Sequence, residues 1–247
     1  MNILVLNGSP RGEGSNTLKI TRAFLEGISS QKKVSIDVVD ISKAEISHCR
    51  GCFACWLKTP GECVIKDDMQ DLIKKCVGAD AIVWSFPLYY FGMPSKLKAF
   101  LDRTLPINLP FIELSESGTC RHPSRYDMSG KRYVLISTCG FCSVENNYEA
   151  LLKQFEIMYG ENLTKIICAE GELFRAAQLE KRTGEYLSYA RQAGREYAAS
   201  GFISADTEKR LSQLLYPPET FVEMANASWG ISDPQDRQDN QDSPTAL

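Results

Sequence analysis

Short apolar runs alternate along this chain with longer stretches in which apolar positions recur every three or four residues. The runs at 3–6, 34–41, 81–85, 133–138 and 163–169 read as strands, and the stretches at about 16–28, 67–77, 95–103, 148–159 and 180–199 read as helices. Strand and helix in regular alternation imply right-handed crossovers and a parallel sheet covered on both faces. The expected fold is therefore α/β, with five strands doubly wound in the order 2-1-3-4-5. In such a sheet a ligand sits outside the carboxyl ends of the first and third strands, where the winding reverses.

Two segments fall outside this plan. The stretch 105–130, with its prolines, a Ser-Gly pair and mixed charges, is too long for an ordinary helix-to-strand connection and reads as a lid or a subunit contact. Past 205, the stretch 217–229 keeps enough apolar residues to pack on something, whereas 231–247 is polar, rich in Asp and Gln, and expected to be disordered. The reading is one domain over 1–204 with an insertion at about 105–130, a helical extension over 205–230 and a tail. There is no internal repeat.

Composition narrows the role. In 247 residues, 43% hydrophobic content suffices for a proper core, and Lys+Arg at 28 against Asp+Glu at 31 lacks the basic excess of a nucleic-acid or membrane-surface binder. A small-molecule role is favoured. The start Met1-Asn2-Ile3-Leu4 has no basic leader, and no segment approaches the roughly 20 apolar residues of a membrane span, so a cytoplasmic protein is expected. Nine cysteines in such a chain argue against a disulfide framework, and four of them crowd into 49–63, which points to metal or redox work.

Three loops fall at the carboxyl ends of strands. The first, Asn7-Gly8-Ser9-Pro10-Arg11-Gly12-Glu13-Gly14-Ser15-Asn16-Thr17, reads as an anion cradle: glycines for a tight turn, then three good helix starters. It contains neither G-x-x-x-x-G-K-[ST] nor G-x-G-x-x-G, so a single terminal phosphate fits better than a triphosphate or a dinucleotide. The second, 86–94, joins aromatics to prolines and a glycine, a flat apolar wall on which a planar ring could lie. The third is 139–146.

Gly8-Ser9-Pro10-Arg11 with Ser15-Asn16-Thr17, then Pro87-x-Tyr89 and Met93-Pro94-x-x-Leu97-Lys98-x-Phe100-x-Asp102-Arg103, strongly resembles the NAD(P)H-dependent FMN reductases of flavodoxin-like fold. The resemblance covers about 1–199. It implies that Ser9, Arg11, Ser15, Asn16 and Thr17 hold the FMN phosphate. It further implies that Pro87, Leu88, Tyr89 and Tyr90 line the isoalloxazine, and that Thr138, Cys139 and Gly140 close its other side. It implies NAD(P)H as co-substrate and a homodimer or homotetramer, and does not extend to the insertion or to the region after 205.

Cys49-x2-Cys52-x2-Cys55-x7-Cys63 is an independent signal, a set of four thiolates in the loop after the second strand. Its compact spacing matches cubane ligation better than the separated knuckles of structural zinc. It resembles the iron-sulfur flavoproteins of the same superfamily, which carry a 4Fe-4S cluster near the flavin. A second reading stays open, in which these are reduced thiols packing a loop. Cys139-Gly140-Phe141-Cys142 has the look of a dithiol motif but lacks the thioredoxin context. His48 and His122 stand in no hydrolase or zinc-protease motif, and Asp67-Asp68 is read as a helix cap.

The expected function is an FMN-dependent oxidoreductase passing electrons from NAD(P)H through FMN to a quinone, a flavin or another small acceptor, with no general acid or base assigned. The alternative is an electron-transfer protein working through FMN and a 4Fe-4S cluster with a redox-protein partner. A third reading is a redox sensor built on 49–63.

Overall fold

The computed structural model describes residues 1–115 and 118–230, so the tail expected over 231–247 lies outside the described residues. β1 (Asn2–Asn7) leads into α1 (Asn16–Ser29) and β2 (Ser35–Asp40), and a long loop carrying the short α2 (Ala54–Leu57) reaches α3 (Met69–Gly78) and β3 (Ala81–Pro87). Next come α4 (Ser95–Asp102), the two-residue strands β4 (Glu113–Leu114) and β5 (Cys120–Arg121), β6 (Arg132–Thr138) and α5 (Glu149–Tyr159). The chain continues with β7 (Leu163–Cys168), α6 (Glu180–Ser200), α7 (Ala205–Leu211) and α8 (Pro218–Ser228). All pairings in the main sheet are parallel and run β2-β1-β3-β6-β7, the expected order once the β4–β5 hairpin is set aside with the insertion.

The period of two along each central strand builds two separate cores. Ile3 and Val5 of β1, Val83 of β3 and Val134 of β6 face the core shared with α1 and α6. Leu4, Leu6, Trp84 and Leu135 face the opposite core with α3, α4 and α5. The edge strand β2 departs from full coverage, because Ile36 and Val38 are exposed.

Two glycines let α1 and α6 meet at backbone contact. A methyl group on Gly27 would lie 2.0 Å from the Arg191 carbonyl oxygen, and one on Gly194 would lie 1.9 Å from that of Phe24. Beyond α6, Leu211, Leu215 and Phe221 are buried in the same core, so the C-terminal segment packs on the sheet domain. The fully buried Glu170 secures it, accepting from the amides of Leu215 at 2.6 Å and Tyr216 at 3.1 Å.

The insertion docks on the cysteine-bearing loop. Trp56 donates from Nε1 to the carbonyl of Asn108 at 2.9 Å, and its ring lies 4.8 Å from that of His122. Among the described residues no helix is long and apolar enough to cross a membrane.

Candidate functional site

Parallel topology gathers the loops after β1, β2, β3, β6 and β7 along one edge of the sheet, the carboxyl edge. The loop after β1 is braced from within. The buried Asn7 donates to the Gly12 carbonyl at 3.1 Å and accepts from the Ser9 amide at 3.3 Å. Gly8 leaves no space for a side chain, since a Cβ there would stand 2.6 Å from Cδ2 of Leu97.

Ser9, Ser15, Asn16 and Thr17 are all buried at this turn. Ser15 caps α1 by accepting from the Leu18 amide at 3.2 Å, and the Ser9 hydroxyl accepts from the Arg11 amide at 3.3 Å. Both hydroxyls are used there as acceptors, so each keeps a proton to donate. The amides of Asn16 and Thr17, in the first turn of α1, lie outside the helix's own ladder. Asn16 donates to the Gly171 carbonyl at 2.9 Å while its Oδ1 is buried with no partner. Hydroxyls and amides at a helix start form a donor set suited to an anion.

Thr138, at the end of β6, joins three of these loops. Its carbonyl accepts from the Leu88 amide at 2.7 Å, and its hydroxyl meets that of Thr17 at 2.7 Å. Two hydroxyls in one hydrogen bond use one proton, leaving one of the pair able to donate.

After β3 the chain makes a tight two-residue turn, with Tyr89 and Gly92 bonded amide to carbonyl in both directions at 2.9 and 3.0 Å. Both central residues are left-handed, Tyr90 at φ 48° and Phe91 at φ 63°. Such a turn ordinarily takes Asn-Gly, and bulky residues there store about 1–3 kcal/mol each. The result is display: Tyr90 is 99% exposed, and Tyr89 and Phe91 are about half exposed.

Two positions behave differently from the reading of the sequence. Arg11 is turned onto Glu172, with Nη1 3.1 Å from the carboxylate, and the Cβ position of Gly140 lies 3.8 Å from Cγ of that same glutamate. Glu172 carried no signal in the sequence, since nothing local links it to the first loop. The Cys139 thiol is buried against the Phe141 and Ser143 carbonyls, and its amide and carbonyl are bonded to the Cys168 carbonyl at 3.2 Å and the Gly171 amide at 2.7 Å. Burial pushes that thiol up, and all described cysteines are free, so 139–142 holds no disulfide.

Cys49, Cys52, Cys55 and Cys63 all line one small cavity of about 20 Å³ under the loop after β2. Burial first, then the neighbouring Cys63, with Cys52 and Cys49 adding to it, hold the Cys55 thiol above its ordinary value. Among the described residues no three His, Cys, Asp or Glu converge on a point where they could share one metal ion.

The neck of this loop corrects the reading of Asp67 as a cap alone. Asp67 does accept from the Met69 amide at 3.2 Å, but its main partner is Arg103, bound through both guanidinium nitrogens at 2.8 Å. Asp68 instead accepts from the Glu45 amide at 2.7 Å and puts no side-chain cap on α3. Burial alone would raise the Asp67 carboxyl, but the Arg103 bonds and the amides of Ser47 and Met69 outweigh it and hold it below the usual carboxylate range.

A family profile described as flavodoxin-like fold matches residues 1–186. An iron-sulfur flavoprotein from Methanocaldococcus jannaschii is 33% identical over 111 residues, covering 45% of this chain and 55% of that protein. The chain thus spans about half the length of this relative. An FMN-dependent NADH:quinone oxidoreductase from Pseudomonas fluorescens is 28% identical over 180 residues, covering 68% of this chain and 87% of that protein. In structure, an FMN-dependent NADH-azoreductase from Bacillus anthracis in complex with FMN superposes with a TM-score of 0.55 at 17% identity, over 80% of this chain and 97% of that one, which is a likeness of fold.

Proposed function

Because the chain belongs to this flavodoxin-like family, we propose that it is an FMN-dependent oxidoreductase that takes electrons from NAD(P)H and delivers them to a quinone, a flavin or another small acceptor. One observation carries the reading: Thr138 ties the hydroxyl-lined turn before α1 to the strained aromatic turn after β3. An anion cradle and an aromatic shelf held together in this way suit a ligand with one phosphate and one flat ring. The spare hydroxyl protons of Ser9 and Ser15 are open valences that the phosphate of such a ligand can meet.

Ser9, Ser15, Asn16 and Thr17 would bind the phosphate with hydroxyl and amide hydrogens, and Arg11 would leave Glu172 to add its charge. Pro87, Leu88, Tyr89 and Tyr90 would hold the ring, with Thr138, Cys139 and Gly140 opposite. Bound FMN supplies hydride uptake from nicotinamide, and a bound cluster supplies single-electron transfer. The side chains orient these groups, and none is assigned a proton-transfer role.

The four cysteines around one cavity favour a second reading alongside the first, an electron-transfer protein using FMN and a 4Fe-4S cluster. Four cysteines at this compact spacing around one cavity suit a cubane better than a lone zinc ion. Of the two relatives named above, one is called an iron-sulfur flavoprotein and the other an FMN-dependent NADH:quinone oxidoreductase.

Anaerobic purification followed by a visible spectrum, flavin and iron assays, and steady-state turnover with NADH or NADPH and a soluble quinone tests both. Bound FMN with rapid quinone reduction supports the enzyme. FMN with iron and sulfide but no turnover favours the electron carrier, and failure to bind FMN even after incubation overturns the proposal.

A further inference from the structure

We propose that Arg103 is the charge and hydrogen-bond partner of an iron-sulfur cluster held by Cys49, Cys52, Cys55 and Cys63, and that it raises the cluster's reduction potential. The inference rests on the reading of those cysteines as cluster ligands. It concerns the buried cation among the residues that line their cavity.

Arg103 ends α4 and is only 1% exposed, an uncommon position for a guanidinium. It donates to both oxygens of Asp67 at 2.8 Å and to the Ser47 carbonyl at 2.7 Å, while Asp67 accepts from the Ser47 amide at 2.9 Å. Both ends of the loop 48–66 are therefore closed on a single ion pair. As an anchor alone this is a poor choice, because buried ion pairs rarely add net stability over apolar packing of the same volume.

One donor is left over. The Nε–H of Arg103 is buried and has no partner among the described residues, an unfavourable situation if nothing answers it. The same residue lines the cavity with the four cysteines. Cys63 stands in that same lining, beside the neck of the loop that Arg103 closes. A sulfur acceptor in the cavity would satisfy the spare donor.

Asp67 offsets part of the guanidinium's charge from the side away from the spare donor, which leaves the N–H and the remaining field to act on the cavity. Asp102 lines the cavity too, but its carboxylate is engaged by Lys98 at 2.7 Å. Arg50 is also in the lining, yet it is exposed, where water and salt screen it. A buried cation and an N–H directed to sulfur both favour the more negative, reduced state, since charge and hydrogen bonds to sulfur set cluster potentials. The step is the gain of one electron by the oxidised cluster, with NAD(P)H as the ultimate reductant and no bond broken in the protein.

The test uses the full-length protein, purified anaerobically and reconstituted with iron and sulfide. Three variants are compared with wild type: Asp67→Asn, the double variant Asp67→Leu/Arg103→Met, and Arg103→Lys. Iron and sulfide content, melting temperature and the cluster midpoint from a spectroscopic redox titration are read for each. Asp67→Asn leaves the cation unbalanced and should shift the midpoint positive, whereas the double variant should shift it negative. Arg103→Lys keeps the charge but loses the Nε donor, and should show a smaller negative shift even if the double variant fails to fold. Midpoints equal to wild type in the iron-loaded variants, or shifts of one sign throughout, would reduce Arg103 to a structural clasp and overturn the inference. Wild-type protein that holds no iron or sulfide after reconstitution refutes the cluster reading itself.

Discussion

At the scale of single residues, the balance between Arg11 and Glu172 offers the most direct check on the anion cradle. Their ion pair is half exposed and worth at most about 1 kcal/mol, while a charge-assisted bond from arginine to a phosphate is worth about 1.5–3 kcal/mol. Arg11→Ala should therefore weaken FMN binding by about twofold to a hundredfold, and Glu172→Gln, which frees Arg11, should tighten it up to a few fold. Flavin fluorescence titration reads both, and tighter binding by Arg11→Ala would remove Arg11 from the phosphate site. Asp67 gives a second residue-level expectation, in pH. Its folded pKa is depressed, so its contribution to stability is complete above the ordinary carboxylate value and is lost as pH falls through the lower folded one. The amides around Ser47 and Met69 should thus stay protected from hydrogen exchange at pH values where exposed carboxylates are already protonated. Asp67→Asn should abolish that acid-dependent step. The residues of the first loop were readable because hydroxyls at a helix start have a local chemistry. The partnership of Asp67 with Arg103, 36 positions apart, was not, because a carboxylate before a helix has a local explanation that masks the distant one.

At the scale of elements, the pattern of apolar residues located every strand and helix of the main sheet to within about two residues. The third strand runs two residues longer than expected, because Phe86 and Pro87 extend the ladder by pairing with Ser137 and Thr138, and the helix expected from 67 starts at Met69. What periodicity could not supply was how close two helices come. In α6 the glycines look like weak points of a helix, yet Gly194 lies where the backbone of α1 leaves no room for a methyl group. Propensity alone predicts that Gly194→Ala strengthens α6. The crossing predicts the reverse, because the colliding atom is a backbone carbonyl that no rotamer change can move aside. Forcing the helices apart should remove about 3 kcal/mol or more of stability, an overpacking effect at the upper end of its range. For a chain of this size that corresponds to a fall in melting temperature of about 6–12 °C. Thermal melts of Gly194→Ala and Gly27→Ala decide it, and an unchanged or raised melting temperature in both would show that α1 and α6 separate freely. The turn at Tyr90 and Phe91 was legible as composition, but its left-handed strain was visible only in the backbone.

At the scale of the whole molecule, strand order was readable because alternation of strands and helices permits few windings, whereas the seat of the insertion was not, since Trp56 and Asn108 meet only in three dimensions. That seat matters for how the two proposed cofactors couple to folding. The cradle and the aromatic turn grow from β1, β3 and β6 at the centre of the sheet, where Leu6, Phe86 and Ile136 are fully buried. None of Cys49, Cys52, Cys55 and Cys63 belongs to either core, so their loop hangs outside the sheet, held at its neck by Arg103 and on its flank by Trp56. A ligand of the cradle therefore stabilises the global fold. At a hundredfold excess over its dissociation constant FMN should add about 2.7 kcal/mol, or about 5–10 °C in melting temperature. Removal of iron with a chelator should leave that global transition within about 2 °C while opening the loop. Hydrogen exchange should then rise in 48–66 and in the insertion segment around Asn108 but not in β1 or β3. A large loss of global stability on chelation would mean that the cysteine loop folds as part of the sheet, and that the two cofactors share one cooperative unit.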